Sequence, residues 1–550
     1  MHKKADKPLI FKEGFTLPEI TLPTILPTEV SALTALLHSV IEAHNASNTK
    51  AHEYINHLIE QFILARRRMF GVSSEQTSGQ GHLFNEAEVL AEGTIEAQDL
   101  ALIPEPSEPA TPKSRIRGKR APLPATLERV DVIHDVPEAA RTCSCGTPMV
   151  AIGSDISEQL DIVPMQIRVL RHIRLRYGCP TSTHAPVIAK LPPQPLPKTN
   201  ASADFLAMLV VVKFVDGLPL TRFSKVLDRH HVPVPDQTLG RWVIAVGKLL
   251  QPLQNLARDA LFEGKLLHID ETVLQVLKEQ GKTATSNSYM WVQTGGPRGK
   301  PVVIFDYDPS RSAEVPVRLL QDYQGYLMAD GYGGYNKLAS TEGIERLACW
   351  AHVRRRFVEA ARVQPKGKRG LADEAVKLIG VLYRIERDYK DATDEARFLA
   401  RQSLSVPALA ALHAWMEKTL PGVPPKNALG TALSYMHDQW SMLERYPERG
   451  DLPIDNNRCE NAIRPFVIGR KAWLFNCTPA GAKASAVIYS LVETAKANGL
   501  EPYTWLRQVL RDLPAAQTVE EVEALLPWNI KAARDAGLAL TTPVELLTAV

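Results

Sequence analysis

Apolar residues recur at helical spacing from about Thr28 to Phe70: Val30, Leu33, Leu37, Val40 and Ile41, then Ile55, Leu58, Ile59 and Phe62. His44, Ser47 and Asn48 interrupt the stripe, which predicts either a short coiled-coil segment supporting self-association or two helices packed in a local bundle. Arg66-Arg67-Arg68-Met69-Phe70-Gly71 ends it with a basic cluster and a glycine stop. Periodicity is absent over residues 72–125, which are polar, then proline-rich (Pro104, Pro106, Pro109, Pro112), then basic from Lys113 to Arg120. Such a linker either lies along phosphates or is simply a solvated charge run. Helical spacing returns in three segments, Ala203–Asp216, Pro219–Arg229 and Asp236 to about Leu253, joined by short turns. They fit a helix-turn-helix with Thr238, Arg241 and Trp242 at the start of its third helix, or an ordinary packed helix pair.

From residue 265 the period changes. Leu266–Leu277, Ser288–Thr294 and Pro301–Tyr307 read as three strands with hairpin-like separators. A helix over Ser312–Tyr323, a fourth strand at Tyr326–Ala329 and a fifth at Ile344–Cys349 follow. Three antiparallel strands and then helix–strand units is the order of a ribonuclease-H-like core. Asp270 and Asp330 each end an apolar run and are each natural turn residues. If the fourth strand lies parallel beside the first, the two carboxylates sit side by side and repel unless cations neutralise them. The 130 positions from Asp330 to Glu460 are too many for one strand and a loop. Helical patterns at Leu378–Asp391, Asp394–Gln402, Pro407–Leu420 and Ala428–Arg445 predict an all-helical insertion, and Arg354-Arg355-Arg356 at its start can contact DNA.

Glu460 admits two readings. Asn457 followed three residues later by Glu460 resembles a capping box, in which the carboxylate only satisfies helix-start donors. Alternatively it is a third metal-binding carboxylate, with Arg464 and Lys471 near the same helix face to grip a nucleic-acid backbone. Three carboxylates at one point suit a pair of hard divalent cations such as Mg²⁺, with water positions left open for phosphate oxygens.

Composition narrows the partners. The 550 residues imply several modules, and 64 basic against 61 acidic side chains leave a net charge of only +3. Any nucleic-acid surface must therefore come from local clustering. The longest apolar stretch, Phe205 to Val215, contains Lys213 and is shorter than the roughly 20 residues of a membrane span. The first 30 residues lack a secretory pattern, and six cysteines do not suggest a disulfide framework, so a reducing cytoplasm is expected. Cys143, Cys145, Cys179 and His184 are candidate Zn²⁺ ligands around a strand-like segment, Ile162–Tyr177; a ribbon that keeps its shape without metal is the alternative. Cys349 and His352 cannot complete a zinc site by themselves, which predicts a packed cysteine and a histidine that faces DNA or assists catalysis.

Several motifs closely resemble the insertion-sequence-66 family of DDE transposases. They are His268-Ile269-Asp270-Glu271-Thr272, Asp330-Gly331-Tyr332-Gly333-Gly334-Tyr335, Cys349-Trp350-Ala351-His352-Val353-Arg354-Arg355 and Asp455 to Pro465. The likeness continues through Gly469 to Phe475, Glu493 to Leu500 and Ala524 to Asn529, and near the start through Arg67 to Gly71, Ser73 to Glu75 and Leu83 to Glu88. It implies a transposase whose catalytic carboxylates are Asp270, Asp330 and Glu460, holding two Mg²⁺ or Mn²⁺ ions. The expected partners are double-stranded DNA at the element's terminal repeats and at the target, further copies of the chain, and accessory proteins of the same element, with no membrane. Arg241, Arg354, Arg355, Arg464, Arg470 and Lys471 are the expected DNA contacts. The family's zinc-binding segment usually carries two CxxC-like pairs; here Ser144 alone separates the first two cysteines and His184 replaces a later one.

The expected organisation is a multidomain α/β chain. An extended arm (1–27), a helical or coiled-coil segment (28–75), a basic linker (76–135), a zinc-ribbon-like segment (136–190) and a helix-turn-helix-like domain (195–260) precede the core. The ribonuclease-H-like core is split (261–352 and 451–500) around the helical insertion (353–450), and a helical segment (501–550) follows. A DNA-binding accessory protein with an inactive core, and a nuclease that cleaves without joining, are the competing functions.

Overall fold

The computed structural model describes residues 29–70, 166–173, 176–177, 187–188, 191–339, 341–363 and 370–537. The first apolar stripe forms one uninterrupted helix, α1 (Val30–Phe70), which corrects the two-helix alternative. The polar positions do not break it: His44 and Asn48 lie one turn apart with Nε2 and Nδ2 at 3.0 Å. The chain divides into two units, Met1–Ala97 with Leu191–Val550, and Gln98–Lys190. The described part of the second unit holds a two-stranded antiparallel ribbon, β1 (Arg176–Tyr177) with β2 (Val187–Ile188). The strand expected over Ile162–Tyr177 is confined to β1 among the described residues. Residues 166–173 are irregular, and Val169 and Ile173 are exposed, so no buried face exists to register a strand. Cys143, Cys145, Cys179, His184, the N-terminal arm and the basic linker lie outside the described residues.

In the first unit, α2 (Ala203–Phe214), α3 (Leu220–Arg229) and α4 (Asp236–Phe262) follow in order. Helix α4 runs well past the expected end near Leu253, with Pro252 inside it. The proline removes one backbone donor, yet Leu250, Leu253, Ala257 and Leu261 are fully buried on either side of it. Burial of several such side chains, about 1.5–3 kcal/mol each, outweighs roughly 3 kcal/mol for the proline.

The sheet has strand order β5-β4-β3-β6-β7, with β3 (Leu266–Gln275), β4 (Asn287–Gly295), β5 (Val302–Asp308), β6 (Gly325–Ala329) and β7 (Ile344–Ala348). Strands β3 to β5 are antiparallel, and β6 and β7 add in parallel beside β3. The strands follow one another along the chain as expected from periodicity, the fourth of them lies parallel beside the first, and the sheet is open, mixed and flanked by helices. After β5 a short helix, α5 (Glu314–Leu319), leads into β6.

After β7 the chain enters α6 (Trp350–Arg362), α7 (Leu371–Asp388), α8 (Asp394–Ala400), α9 (Val406–Thr419) and α10 (Ala428–Asp438). All of them but α8 share a core around Trp350, Phe357, Leu382, Leu412 and Leu433, which also takes in Ala348 of β7. The break expected between Gln402 and Pro407 is instead a π-helical turn, Arg401–Ser405, that passes α8 directly into α9. The extra residue in that turn suits the neighbourhood of a proline at a helix start. Arg401, 1% exposed, lies in this turn; it pairs with Glu386 at 2.6 Å and donates to the carbonyls of Tyr446, Arg449 and Leu452. Arg401→Met leaves the half-buried Glu386 carboxylate and three carbonyls without their donor. The expected cost is about 3–5 kcal/mol, visible as a lowered unfolding midpoint in denaturant. An unchanged midpoint would show that this hub is not what holds the insertion together.

The chain returns through α11 (Asn457–Trp473) and α12 (Pro479–Ala497), and continues through α13 (Pro502–Asp512), α14 (Val519–Glu523) and α15 (Pro527–Asp535). Helix α12 covers the β5 edge, whose outward backbone groups would otherwise be unpaired. Ser490 Oγ accepts from Phe305 N at 2.7 Å, Thr494 Oγ1 accepts from Val303 N at 3.0 Å, and Asn498 Nδ2 donates to Pro301 O at 2.9 Å. On its other side α12 meets α4 at Gly247, where a side chain would overlap Ala484. Among the described residues no helix is long and apolar enough to cross a membrane.

Candidate active site

The β3–β6 ladder pairs Leu266 with Tyr326, Leu267 with Leu327 and His268 with Met328. Continuing that offset brings Asp270 level with Asp330, the first residue beyond β6. Asp270 lies inside β3 and not at its end, which corrects the strand-end expectation, while Asp330 follows β6 directly; the two acidic residues therefore stand level on adjacent parallel strands.

Glu460 is delivered by α11, and Asn456 decides where that helix starts. The Asn456 side chain is fully buried, and it bonds to β3 instead of capping its own helix. Nδ2 donates to Ile269 O at 3.1 Å, and Oδ1 lies 2.9 Å from His268 Nδ1. Since Oδ1 can only accept, the ring proton is on Nδ1. Burial, and then the charge of Arg458, hold the His268 ring down to about 4, so it is neutral near pH 7. The cap is thus Asn456, not Asn457, and Glu460 lies one residue beyond a capping-box position; it is 2% exposed. The capping-box reading is corrected for that reason. At the far end of the helix Arg470 donates to Thr272 Oγ1 at 3.0 Å and to Val273 O. Helix α11 is therefore pinned to β3 on both sides of Asp270.

The electrostatics report one shared neighbourhood. Burial pushes the Cys459 thiol well up, and the charges of Asp270 and Glu460 push it further. Burial likewise raises the Tyr335 hydroxyl, reinforced by Glu271, Asp330 and Asp270.

A fourth carboxylate had no role in the sequence reading. Glu271 follows Asp270 and so projects from the opposite face of β3. Burial, then the charge of Asp330, push it up to about 7, while Arg311 and Tyr335 oppose the shift. Arg311 Nη2 lies 2.5 Å from Glu271 Oε1, and Tyr335 OH donates to Oε2. This network grips the loop that begins at Asp330. Tyr332 N–H donates to Asp330 Oδ1 at 3.0 Å, Arg311 stacks on the Tyr332 ring at 4.0 Å, and Arg346 donates to the Asp330 carbonyl. From the insertion, Tyr435 OH accepts from Gly331 N at 3.1 Å, and a side chain at Gly331 would overlap the Tyr435 ring. Glu271 and Tyr335 lie inside motifs visible in the sequence. Tyr435 has no local signal at all, since only the fold brings it back to Asp330.

The remaining expected residues fall in several settings. Arg241 is exposed near the start of α4, whereas Trp242 packs edge-on against Phe205 at 5.7 Å. Arg354, Arg355, Arg464 and Lys471 are half-buried. Arg470, expected to meet DNA, is 8% exposed and is a strut between α11 and β3. His352 is 3% exposed, which corrects the DNA-facing alternative, and its Nε2 lies 3.9 Å from Glu460 Oε1. Cys349 is buried beside it, and burial raises its thiol while the His352 ring works in the other direction. Glu460 thus supplies the third ligand type missing from the Cys349–His352 pair.

Comparison with known proteins agrees with this layout. Residues 198–484 match the family model described as transposase IS66 family, and residues 490–528 match the IS66 C-terminal element. Residues 140–181 match the zinc-finger binding domain of transposase IS66, an interval that includes Cys143, Cys145 and Cys179 but stops before His184. Residues 57–132 match a model described as transposase C of IS166 homeodomain. Two Sinorhizobium fredii proteins, both described as uncharacterized, are similar over most of their length. Protein y4qI is 32% identical over 433 residues, covering 76% of this chain and 79% of its own. Protein y4jD is 31% identical over 460 residues, covering 80% and 89%. A sheet that sets Asp270 level with Asp330, a buried Glu460 on a helix pinned across it, and a family match spanning more than half of the chain lead to one conclusion: this protein belongs to the IS66 family of transposases.

Proposed function

We propose that this chain cuts DNA at the ends of an insertion sequence and joins those ends to target DNA, on a ribonuclease-H-like core with Asp270, Asp330 and Glu460 as its catalytic carboxylates. The observation that carries the reading is the β3–β6 register, which levels two acidic residues that would repel each other without a cation between them. The donor set is all carboxylate oxygen, which fits Mg²⁺ or Mn²⁺. Bound there, the ions supply Lewis-acid charge that favours an ionised nucleophile and a developing oxyanion. In the first reaction a water oxygen bonds to phosphorus as the bond to a 3′ oxygen breaks, leaving a free 3′-hydroxyl. In the second that hydroxyl attacks a target phosphodiester and displaces another 3′ oxygen, without a covalent enzyme intermediate. The Glu271–Arg311–Tyr335 network and Tyr435 hold the Asp330 loop in position for both reactions. Exposed Arg241 and half-buried Arg354, Arg355, Arg464 and Lys471 are the proposed phosphate contacts, and a zinc ion on Cys143, Cys145, Cys179 and His184 would stiffen the ribbon.

The test is a strand-cleavage and joining assay on labelled element ends in Mg²⁺ or Mn²⁺, with and without accessory proteins from the same element. Nicking without joining would favour a nuclease, and end binding with no metal-dependent cleavage would favour an accessory protein. A second expectation concerns the Asp330 loop. Gly331→Ala drives a methyl into the Tyr435 ring, and a displacement of about 1 Å at the loop costs on the order of 10²-fold in cleavage rate. Adding Tyr435→Ala opens that space and should recover part of the loss. Additive losses in the double variant would mean that the two residues act separately.

A further inference from the structure

Cys349 is the N-cap of α6 and His352 lies one turn later on the same helix, while Glu460 reaches them from α11. One ligand atom from each lies within 4.8 Å of the other two, and all three residues are buried. A thiol, an imidazole and a carboxylate together make a poor Mg²⁺ site, because Mg²⁺ takes oxygen donors and retains waters. They match a tetrahedral ion of intermediate softness, for which sulfur, nitrogen and one carboxylate oxygen leave a fourth position open. Two features partly offset the burial that raises this thiol. Cys349 Sγ accepts the Asn456 N–H at 3.2 Å and stands at the positive end of α6. The frame is also tied in place, since Trp350 N–H donates to Ile454 O at 3.2 Å and so fixes α6 against the segment leading into α11.

We propose that Cys349, His352 and Glu460 form a binding site for Zn²⁺ or a cation of similar softness, and that filling it draws Glu460 away from Asp270 and Asp330. The binding half stands on these three residues alone; the second half rests on the proposed catalytic role of Glu460. Zn²⁺ is then an inhibitor of Mg²⁺-dependent cleavage, lowering the rate about tenfold or more at saturation.

The experiment uses the full chain with its ribbon thiols removed (Cys143→Ser, Cys145→Ser, Cys179→Ser), titrated with Co²⁺ while the thiolate-to-cobalt charge-transfer band is recorded. One equivalent bearing that band is expected, with the band lost in Cys349→Ser and affinity weakened in His352→Gln, whose thiol is intact. No band in the parent, or the same band after Cys349→Ser, overturns the site. Zn²⁺ is then added to cleavage reactions in Mg²⁺, where the parent should be inhibited and Cys349→Ser resistant. Equal inhibition of both overturns the sharing of Glu460. If the parent binds Co²⁺ but the chain with its ribbon cysteines intact never cleaves DNA, the metal site stands and the result counts against the proposed function.

Discussion

Asparagine in place of Asp270 is expected to abolish metal-dependent strand cleavage while leaving binding to element ends intact. The substitution keeps the shape of the side chain and removes one negative charge from a pair set level by the β3–β6 register. Loss of a metal-binding carboxylate takes several kcal/mol from transition-state stabilisation, a drop on the order of 10³-fold or more in rate. The same variant should behave oppositely in stability. With cations chelated, the parent carries Asp270 and Asp330 level on adjacent strands, and Asp270→Asn relieves part of their repulsion. Its unfolding midpoint in chelator should therefore rise, while added Mg²⁺ should stabilise it less than the parent. A merely structural aspartate would show neither effect, and retained Mg²⁺-dependent nicking by the variant would remove the assignment.

Asn456→Ala should be the most damaging change to the scaffold of the site. It strips partners from His268 Nδ1 and Ile269 O in a fully buried position. Leaving two buried polar groups unsatisfied costs about 2–5 kcal/mol. Because Asn456 sets where α11 begins, Glu460 also shifts, and a shift of about 1 Å costs on the order of 10²-fold in cleavage. Asn456→Asp should not rescue it, since a carboxylate cannot donate to Ile269 O. Denaturant unfolding and single-turnover cleavage measure the two effects, and a parent-like midpoint in the alanine variant would show that α11 is located by other contacts.

Much of this architecture was legible in the chain. The strands were found because central and edge strands of an open sheet write continuous or alternating apolar runs, and Asp270 and Asp330 stood out as acidic ends of such runs. Where reading failed, a tertiary contact outweighed a local preference. Pro252 should stop a helix, but packing of α4 against β5 and α12 carries the helix through it. Asn457 with Glu460 looked like a cap, yet the cap is a neighbouring asparagine whose side chain is committed to β3. Arg470 stood among the expected DNA contacts; here Thr272 and Val273 accept its hydrogen bonds inside the protein.

The amino-acid sequence by itself determined the order of elements, the presence of a helical insertion and the identity of the two acidic residues that close apolar runs, because periodicity and turn chemistry act over a few residues. Only the tertiary structure decided the parallel register that levels Asp270 with Asp330, the pinning of α11 across β3, and the meeting of Glu460 with Cys349 and His352. It also brought Tyr435 to Gly331 across 104 positions. Such contacts pay their loop-closure entropy only when the whole core forms, so no local window of residues can announce them.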